Sequence, residues 1–366
     1  MEKLFNGFFN NKKVLITGHT GFKGSWLSIW LHELGADIIG YAKDPLYEKD
    51  IFVLSEMNKK ITSINGDIRS VSSLKEVFNK YKPEIVFHLA AQPLVLESYH
   101  HPYYTYEVNV MGTMNVLERI KETPETKVGI IITSDKCYKN NEWIYGYREN
   151  DAMGGDDLYS SSKGCAELLV ASYRNAFFNK KNTKDYLKLV ASVRAGNVIG
   201  GGDWSVNRIV PDCIRTLEEG KEIIIRNPNA IRPWQHVLEP LYGYLTLASK
   251  ASGKNTGIYS DAWNFGPDFS SVITVEELVE RITDVWDDEQ AIIEKKKNNS
   301  IEYKENHFLN IDSTKSKYYL NWKPVWGIDR GISKTVEWYK LYKDVDVYKL
   351  CACQIESYCK DMAERL

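Results

Sequence analysis

The feature that most constrains this chain of 366 residues is a short apolar run followed by a glycine-rich turn and a helix. The run Lys12–Thr17 is typical of a buried parallel strand. Three glycines follow in the spacing Gly-x-x-Gly-x-x-Gly, and an arrangement of this kind points backbone N–H groups and a helix N-terminus at a pyrophosphate. The stretch therefore predicts a dinucleotide-binding turn that contains Gly18, His19, Thr20, Gly21, Phe22, Lys23 and Gly24.

Strand and helix patterns then alternate as far as about residue 197. Strands are predicted at 36–41, 61–64, 84–91, 128–134 and 187–194, and helices at 71–81, 103–121 and 159–178. Repeated strand–helix units imply an α/β fold with a doubly wound parallel sheet of the Rossmann type. Ligands of such sheets bind beyond the carboxyl ends of the strands. At that edge we expect Gly18, Ala90, Ser134 and Asn197, whereas His88 is interpreted as a core histidine.

The pattern changes after residue 197 to a glycine-rich loop and shorter, mixed elements. We interpret residues 1–197 as a dinucleotide-binding domain, to which segments near 235–265 return, and residues 198–366 mainly as a smaller C-terminal substrate-binding lobe. Arginines in this lobe, among them Arg208 and Arg232, suit a phosphorylated ligand. For any single arginine, an ion pair with a local carboxylate is the alternative.

Composition excludes several classes of protein. The chain is 43% hydrophobic and 26% charged with a net charge of -2, which is ordinary for a globular protein and gives no nucleic-acid footprint. No apolar run approaches the length of a membrane span, and the N-terminus lacks a secretory signal pattern. Six scattered cysteines without neighbouring histidines indicate reduced thiols and no metal site. We therefore expect a cytoplasmic protein.

Tyr159 and Lys163 form the first candidate catalytic pair. Residues four apart on a helix share one face, so the lysine ammonium is expected to lower the phenol pKa from its ordinary value of about 10. A phenol tuned in this way can take a proton from a sugar hydroxyl. The spacing alone also suits a solvated helix face, so the pair gains its meaning from the motifs upstream.

The end of the second predicted strand leaves the choice of dinucleotide open. A fold that prefers NAD usually carries an acid here to hold the ribose hydroxyl. The sequence has Tyr41, Ala42, Lys43 and Asp44, so the acid is late and a lysine precedes it. NAD and NADP therefore both remain possible from these residues.

Taken together, these motifs resemble the extended short-chain dehydrogenase/reductase family over roughly residues 10–340. Within that family the chain is most similar to the nucleotide-sugar 4,6-dehydratases that act on CDP-glucose. The stretches that carry the similarity are Thr17–Gly24, Thr133–Tyr138, Glu142–Trp143 with Gly146–Glu149, Arg194–Trp204 with Arg208–Asp212, and Ile231–Pro240.

The resemblance implies a mechanism with two halves. Tyr159, with Lys163 and Ser134, would deprotonate the sugar 4-hydroxyl while hydride leaves C4. Asp135 would then act as the acid at the 6-hydroxyl and Lys136 as the base at C5, so that water leaves and hydride returns to C6. Related dehydratases commonly carry a glutamate where Lys136 stands. A lysine base must be neutral when it takes the proton, and burial or a nearby cation would favour that form.

The resemblance also implies the ligands, the assembly and a place in deoxysugar biosynthesis for O-antigen or lipopolysaccharide. NAD should stay bound, because the net redox change is zero, and the substrate is a nucleotide sugar rather than a nucleic acid or a membrane. Helices 103–121 and 159–178 would pair in a homodimer or homotetramer. Cofactor contacts beyond the glycine turn are expected from Asp67, Ile68, Leu89, Ala90, Ala91, Asn109, Thr133, Tyr159 and Lys163. Substrate contacts are expected from Gln92, Asn197, Arg208, Arg232, Gln235, His236 and Asn264. One departure is Leu96, which stands where an arginine is expected.

Two other functions fit parts of the same pattern. A nucleotide-sugar epimerase or simple dehydrogenase would need Tyr159, Lys163 and Ser134 but not the neighbouring Asp135 and Lys136. A sugar-nucleotide or dinucleotide sensor would need none of the five residues. The fold alone does not separate these alternatives.

Overall fold

The fold is described from a computed structural model, which covers residues 4–178, 188–252, 256–287, 293–295 and 306–365. The strands are β1 Lys13–Thr17, β2 Asp37–Ala42, β3 Thr62–Asn65, β4 Ile85–His88, β5 Val128–Ile132, β6 Leu189–Ala195, β7 Asn197–Ile199, β8 Ile223–Ile225, β9 Ile231–His236, β10 Ala262–Phe265, β11 Val272–Thr274 and β12 Ile293–Lys295. The helices are α1 Phe22–Glu33, α2 Ile51–Leu54, α3 Val71–Tyr81, α4 Val95–His100, α5 Pro102–Tyr106, α6 Thr113–Glu122, α7 Leu158–Tyr173, α8 Ile209–Glu218, α9 Leu238–Ser249, α10 Val275–Trp286, α11 Thr314–Leu320, α12 Ile328–Leu341 and α13 Val347–Arg365.

A seven-stranded parallel sheet forms the centre of the molecule, in the order β10-β6-β5-β4-β1-β2-β3. The predicted doubly wound parallel sheet is therefore confirmed. The direction of winding reverses between β1 and β4, where Thr17 lies opposite both Tyr41 and His88. Because the carboxyl ends of these strands are level, a ligand-binding crevice opens beyond them.

Both faces of this sheet are covered, and successive side chains of β1 show how. Val14 and Ile16 pack in one core with Trp26 and Trp30 of α1. Leu15 points the other way, into a second core that α3, α6 and α7 complete. Side chains alternate along a strand, so a strand covered on both faces has to be apolar throughout. This explains the continuous apolar runs that the sequence shows.

Two of the predicted long helices contain a wider turn. The segment predicted at 103–121 consists of α5, a π-helical turn at Glu107–Gly112 and α6, and α7 continues into a π-helical turn at Arg174–Phe178. The predicted strand at 187–194 begins at Leu189, and Leu187 lies outside the described residues. π-helical turns inside longer helices are frequently found at functional sites.

His88 is a core histidine, as the sequence indicated. Its Nδ1 lies 2.7 Å from the Thr17 hydroxyl and its Nε2 lies 3.0 Å from the Thr113 hydroxyl. Burial, with a smaller contribution from the charge of Lys163, lowers the pKa of His88 to about 3. The ring therefore stays neutral and ties β4 to β1 and α6.

The second half of the chain returns to the main sheet once before it finishes. Strand β10 lies beside β6, while β7, β9 and β11 form a separate sheet and β8 pairs with β12. Helix α13 packs back on α1, where the Tyr348 hydroxyl lies 2.6 Å from Nδ1 of His32. All six cysteines are free. Within the described ranges, no helix is both long and apolar enough to cross a membrane.

Candidate active site

The glycine-rich turn lies in the crevice between β1 and β4. Gly18 has φ +77°, and a Cβ there would stand 2.7 Å from the backbone nitrogen of Ala90. A Cβ on Gly24 would stand 2.1 Å from the carbonyl oxygen of Gly18. Gly21 is the N-cap of α1 and provides no side-chain cap, so it leaves the first amides of the helix to other acceptors. Close backbone approach and uncapped amides are what a pyrophosphate site requires.

The side chains of the same turn support the neighbouring strands. His19 is buried against Gly40, and its Nε2 lies 2.8 Å from the Ser63 hydroxyl. Burial lowers the pKa of His19 to about 4, so the ring is neutral. The Thr20 hydroxyl donates to the carbonyl of Lys43 at 2.9 Å. A ligand in the crevice would therefore contact His19 mainly through the backbone of that residue.

Charged groups cluster where β2 and β3 end. The carboxylate of Asp67 lies 2.8 Å from Arg69 and 3.2 Å from Lys43, and Arg69 also pairs with Glu107 at 3.0 Å. Burial would raise the pKa of Asp67, but the hydrogen bonds from Arg69 and Lys43 outweigh it and hold the pKa at about 2. Both cations stand near the ring of Tyr104. The acid at this edge is thus ionised and doubly paired.

The π-helical turn places Asn109 between the end of β4 and helix α7. Its Oδ1 accepts from the backbone of Gln92 at 2.9 Å, and its Nδ2 donates to the Ser162 hydroxyl at 2.9 Å. Ser162 in turn donates to the carbonyl of Tyr159 at 2.7 Å. The Gln92 amide donates to Thr105 at 2.9 Å. Both amide side chains are therefore engaged within the protein and hold α7 in place.

A short 3-10 turn beyond β5 carries the candidate acid and base. The Ser134 hydroxyl accepts from the backbone of Lys136 at 3.2 Å and donates to Oδ1 of Asp135 at 3.0 Å. Asp135 is 3% exposed, and its Oδ2 has no hydrogen-bond partner among the described residues. Burial raises the pKa of Asp135, even though Lys136 and Ser134 oppose the shift. The environment thus favours a protonated carboxyl group that can donate.

Tyr159 lies beside this turn and between two ammonium groups. The Nζ atoms of Lys136 and Lys163 each stand 6.0 Å from the centroid of its ring. Burial raises the pKa of Tyr159 to about 12, although a hydrogen bond with Ser134 and the charge of Arg208 lower it in part. The predicted lowering of the phenol pKa is therefore wrong for this structure, because desolvation outweighs the nearby charges. Burial also lowers the pKa of Lys163 to about 8.

Two further cations approach the same region. Burial lowers the pKa of Lys23 to about 7, and the charges of Arg208 and Lys163 add to the effect. The Lys23 ammonium lies 5.8 Å from the ring centroid of Tyr244, whose buried hydroxyl has no partner in the part of the chain that the structure describes. Arg208 is paired with Asp203 at 3.0 Å. The site is thus rich in cations, as suits an anionic ligand.

Several predicted substrate residues are engaged in the protein itself. Arg232 donates to the carbonyls of Asn306 at 2.6 Å and His307 at 3.1 Å, although its charge still reaches Asp135. The Gln235 amide donates to the carbonyl of Phe265 at 2.8 Å. The ring of His236 packs edge-on against Trp26 and Trp326.

Asn264, in β10, is held by three side-chain hydrogen bonds. Its Oδ1 accepts from the Tyr138 hydroxyl at 2.7 Å, and its Nδ2 donates to the carbonyls of Tyr147 at 2.8 Å and Asp312 at 3.0 Å.

The remaining predicted residues flank the same crevice or its walls. Leu89 and Ala91 follow β4, Thr133 follows β5, Asn197 begins β7, and Ile68 packs under Gly112.

The structure brings five predicted catalytic residues to one place: Ser134, Asp135, Lys136, Tyr159 and Lys163. The sequence interpretation overlooked the buried ion pair of Glu167 and Arg194 beneath them, whose side chains approach to 2.7 Å. The signal was present, because Glu167 follows Lys163 by four residues and so shares its helix face. Across the described ranges, no three potential metal ligands cluster.

Comparisons with known proteins place this site in a family. The family model described as GDP-mannose 4,6 dehydratase matches residues 15–335. A CDP-glucose 4,6-dehydratase from Salmonella typhimurium is 47% identical over 335 residues, which cover 92% of this chain and 92% of that protein. A dTDP-D-glucose 4,6-dehydratase from Mus musculus is 28% identical, over 90% of this chain and 89% of its own length.

Solved structures share the fold at low identity. A dTDP-glucose 4,6-dehydratase from Bacillus anthracis in complex with NAD superposes with a TM-score of 0.75 at 20% identity, covering 93% of this chain and 99% of that one. A UDP-glucose 4-epimerase from Thermotoga maritima with UDP-glucose gives 0.74 at 21%, covering 91% and 100%. Dehydratase and epimerase match equally well, so the fold does not choose between them. The family model and the 47% identity establish that the chain belongs to the GDP-mannose 4,6 dehydratase family, within the extended short-chain dehydrogenases/reductases.

Proposed function

We propose that this protein is a nucleotide-sugar 4,6-dehydratase that converts CDP-glucose into CDP-4-keto-6-deoxyglucose and water. The observation that carries the proposal is the packing of the Asp135–Lys136 turn against Tyr159 and Lys163. An epimerase or dehydrogenase needs Tyr159, Lys163 and Ser134 but not Asp135 and Lys136. The choice of CDP-glucose is supported by the 47% identity to a CDP-glucose 4,6-dehydratase.

NAD is the proposed cofactor, and the crevice fits a dinucleotide. The fit rests on the turn at Gly18, Gly21 and Gly24, where no Cβ obstructs the approach of a ligand to the backbone, and on the N-terminus of α1, where Gly21 provides no side-chain cap. Structures of related fold are described with NAD bound. When bound, NAD would accept hydride from C4 and return it to C6, so that no redox equivalent is released. We assign its contacts to the glycine turn and to the residues predicted beside it.

Tyr159 is the proposed base for the first half of the reaction. Its phenol would take the proton of the 4-hydroxyl, while Ser134 hydrogen-bonds the phenol and Lys163 supplies a positive charge beside it. Burial raises the pKa of the free phenol, whereas its hydrogen bond with Ser134 and the charge of Arg208 lower that pKa in part and so favour the phenolate form. Ser134, Lys163 and Arg208 would thus direct the proton of the sugar 4-hydroxyl to the phenol oxygen of Tyr159.

Asp135 and Lys136 are proposed to carry the second half. Asp135 is buried, and burial raises its pKa; its Oδ2, which has no partner among the described residues, would donate to the departing 6-hydroxyl when the carboxyl group is protonated. Lys136 would remove the proton at C5, which the ketone at C4 acidifies. The two residues are neighbours on one turn, so acid and base would act on adjacent carbons of the same sugar.

The residues after about 197 are proposed to form a substrate-binding lobe. We propose the boundary near residue 197 and a phosphate contact from Arg208, which is half-buried beside Lys23 and Tyr159. Gln92, Asn197, Arg232, Gln235, His236 and Asn264 stay predictions as substrate residues. The buried amides among them would act by shaping the wall of the pocket. A cytoplasmic location and a role in O-antigen or lipopolysaccharide synthesis also stay predictions.

A homodimer is proposed through the paired helices α5–α6 and α7. Tyr106 donates to Ser161 at 2.9 Å near their first turns and Tyr173 donates to Glu118 at 2.7 Å near their last, so the helices run side by side. Large apolar side chains stand exposed along the pair, namely Tyr103, Met111, Leu168 and Phe177. Such a surface suits a four-helix interface between two copies. A monomer mass by light scattering at micromolar concentration would count against it.

Incubation with CDP-glucose tests the reaction directly. Purified protein loaded with NAD should form a product whose 4-keto-6-deoxy sugar absorbs in the ultraviolet after addition of alkali. An epimerised sugar would give no such absorbance. Free NADH released in proportion to the sugar consumed would identify a simple dehydrogenase instead.

A further inference from the structure

Glu167 holds the strand that enters the acid–base turn. It lies on α7 one helical turn beyond Lys163 and two beyond Tyr159, and it is 2% exposed. Its Oε1 accepts from the hydroxyl of Thr133, the residue immediately before Ser134. Its Oε2 accepts from Ser192 at 2.7 Å and from Arg194 at 2.7 Å. Helix α7 is therefore bonded to β5 and β6 at this one carboxylate.

Arg194 holds the segment that leaves the same turn. Its Nη1 donates to the hydroxyl of Tyr138 at 2.6 Å and to the carbonyl of Glu149 at 3.0 Å. The guanidinium also stands 4.9 Å from the ring centroid of Tyr138. The Tyr138 hydroxyl in turn donates to Oδ1 of Asn264 at 2.7 Å. Arg194 is 3% exposed, so this chain of hydrogen bonds is shielded from water.

We propose that Glu167 and Arg194 are positioning residues, which fix the turn of Ser134, Asp135 and Lys136 against the helix that carries Tyr159 and Lys163. The turn is held at both ends, by Glu167 through Thr133 and by Arg194 through Tyr138. The inference rests on the proposed dehydratase function, in which the turn and the helix act on one sugar.

Stability alone gives a poor reason for this ion pair. Burying two charges costs solvation energy, and hydrophobic residues of similar volume often serve as well or better. The pair instead contacts both flanks of the candidate catalytic turn, where a displacement of about 1 Å can cost on the order of 100-fold in rate. Glu167 also raises the pKa of Lys163 against the effect of burial. The pair is therefore expected to influence both the geometry and the charge of the site.

Tyr138→Phe tests the far end of this arrangement with little risk to folding. It deletes only the hydroxyl that accepts from Arg194 and donates to Asn264, and Tyr358→Phe is the matched control, since it deletes a buried hydroxyl that donates to Glu239 at 2.8 Å. We expect kcat to fall about tenfold in Tyr138→Phe with KM and Tm close to those of the control. If the two variants have the same kcat, the proposal is overturned.

Glu167→Gln tests the near end, and its readout is the pH profile of kcat. Loss of the carboxylate removes the anion that sustains the charge of Lys163, so the alkaline limb of the profile should move to lower pH. A purely structural role would lower Tm without moving the limb. If Glu167→Gln does not fold, the double variant Glu167→Met with Arg194→Met removes both charges and should fold. The kcat of this double variant should be lower than that of the wild type, and a wild-type kcat would refute the positioning role.

The proposal and the function beneath it fail in different ways. If the wild-type protein makes no 4-keto-6-deoxy product from CDP-glucose, the proposed function fails. If the wild-type protein makes that product and Tyr138→Phe turns over as fast as Tyr358→Phe, only the positioning role fails.

Discussion

At the scale of single residues, the candidate site is governed by a competition between burial and charge. Burial raises the pKa of Tyr159 to about 12 and lowers the pKa of Lys163 to about 8. Each group is thus pushed toward its neutral form, and the cations around the phenol oppose this only in part. In the proposed mechanism, proton transfer from a bound sugar to Tyr159 therefore depends on the positive charges that surround the phenol.

Substitutions at Asp135 and Lys136 separate the two halves of the reaction. Asp135→Asn and Lys136→Ala should still allow oxidation at C4 but stall elimination, with product formation slowed about 10²–10⁴-fold. In a single turnover both should show reduced-cofactor absorbance that persists, because no acceptor forms at C6. Lys136→Ala should also lose exchange of the C5 hydrogen with deuterated water.

Tyr159→Phe is the control for that experiment. It removes the first base, so neither the absorbance signal nor the exchange should appear. If Lys136→Ala exchanges the C5 hydrogen at the wild-type rate, Lys136 is not the base.

The sequence predicted those features of the site that depend on residues close together in the chain. The spacing of Tyr159 and Lys163 and the turn at Ser134 are short-range patterns, and the structure brings them together. The direction of the Tyr159 pKa was not predictable, because it depends on burial by segments far apart in the chain. The same holds for Arg194, whose bond to Tyr138 joins residues 56 positions apart.

At the scale of elements, the strand–turn–helix unit leaves no room for a side chain on Gly18 or Gly24. Gly24→Ala would place a Cβ 2.1 Å from the carbonyl oxygen of Gly18, so the turn has to move. We expect NAD affinity to fall at least tenfold and stability to fall by about 1–3 kcal/mol. Fluorescence titration with NAD and thermal unfolding measure the two effects.

Gly327→Ala is the matched control, because a Cβ there meets nothing within 4 Å. Gly327 is the N-cap of α12, and Gly24 lies in the first turn of α1, so both residues are at the N-terminal end of a helix. Equal NAD affinity in the two variants would contradict the assignment of the glycine turn.

Helix boundaries show which part of the fold the sequence predicts. The helix predicted at 71–81 matches α3 residue for residue, because Ser70 caps it and its apolar face is clear. The segment at 103–121 was predicted as one uniform helix, but the structure contains a π-helical turn around Asn109. The side-chain bonds of Asn109 to Gln92 and Ser162 are tertiary contacts, which local periodicity does not reveal.

At the scale of the whole molecule, Glu239 joins the start of α9 to the end of the chain. Its buried carboxylate accepts from the backbones of Val325 at 2.9 Å and Trp326 at 2.6 Å and from the hydroxyl of Tyr358 at 2.8 Å. Burial raises the pKa of Glu239 to about 7, although these hydrogen bonds oppose the shift. The folded state therefore holds this proton more tightly than the unfolded state.

The sign of the pH effect follows from that shift. The contribution of Glu239 to stability is greatest below about pH 4.5 and is lost as pH rises to about 7, by about 3 kcal/mol in all. Glu239→Gln cannot ionise, so its unfolding free energy should fall less between pH 5 and pH 8 than that of the wild type. Urea unfolding at the two pH values measures the difference. An identical pH dependence in the variant would refute this role for Glu239.

The central claim is that hydride moves within one enzyme-bound sugar from C4 to C6. CDP-glucose carrying deuterium at C4 tests it most directly, with the position of the label in the product read by NMR. The account predicts that the deuterium appears at C6 of CDP-4-keto-6-deoxyglucose, without labelled NADH in solution. Deuterium retained at C4, or released on free cofactor, would contradict it.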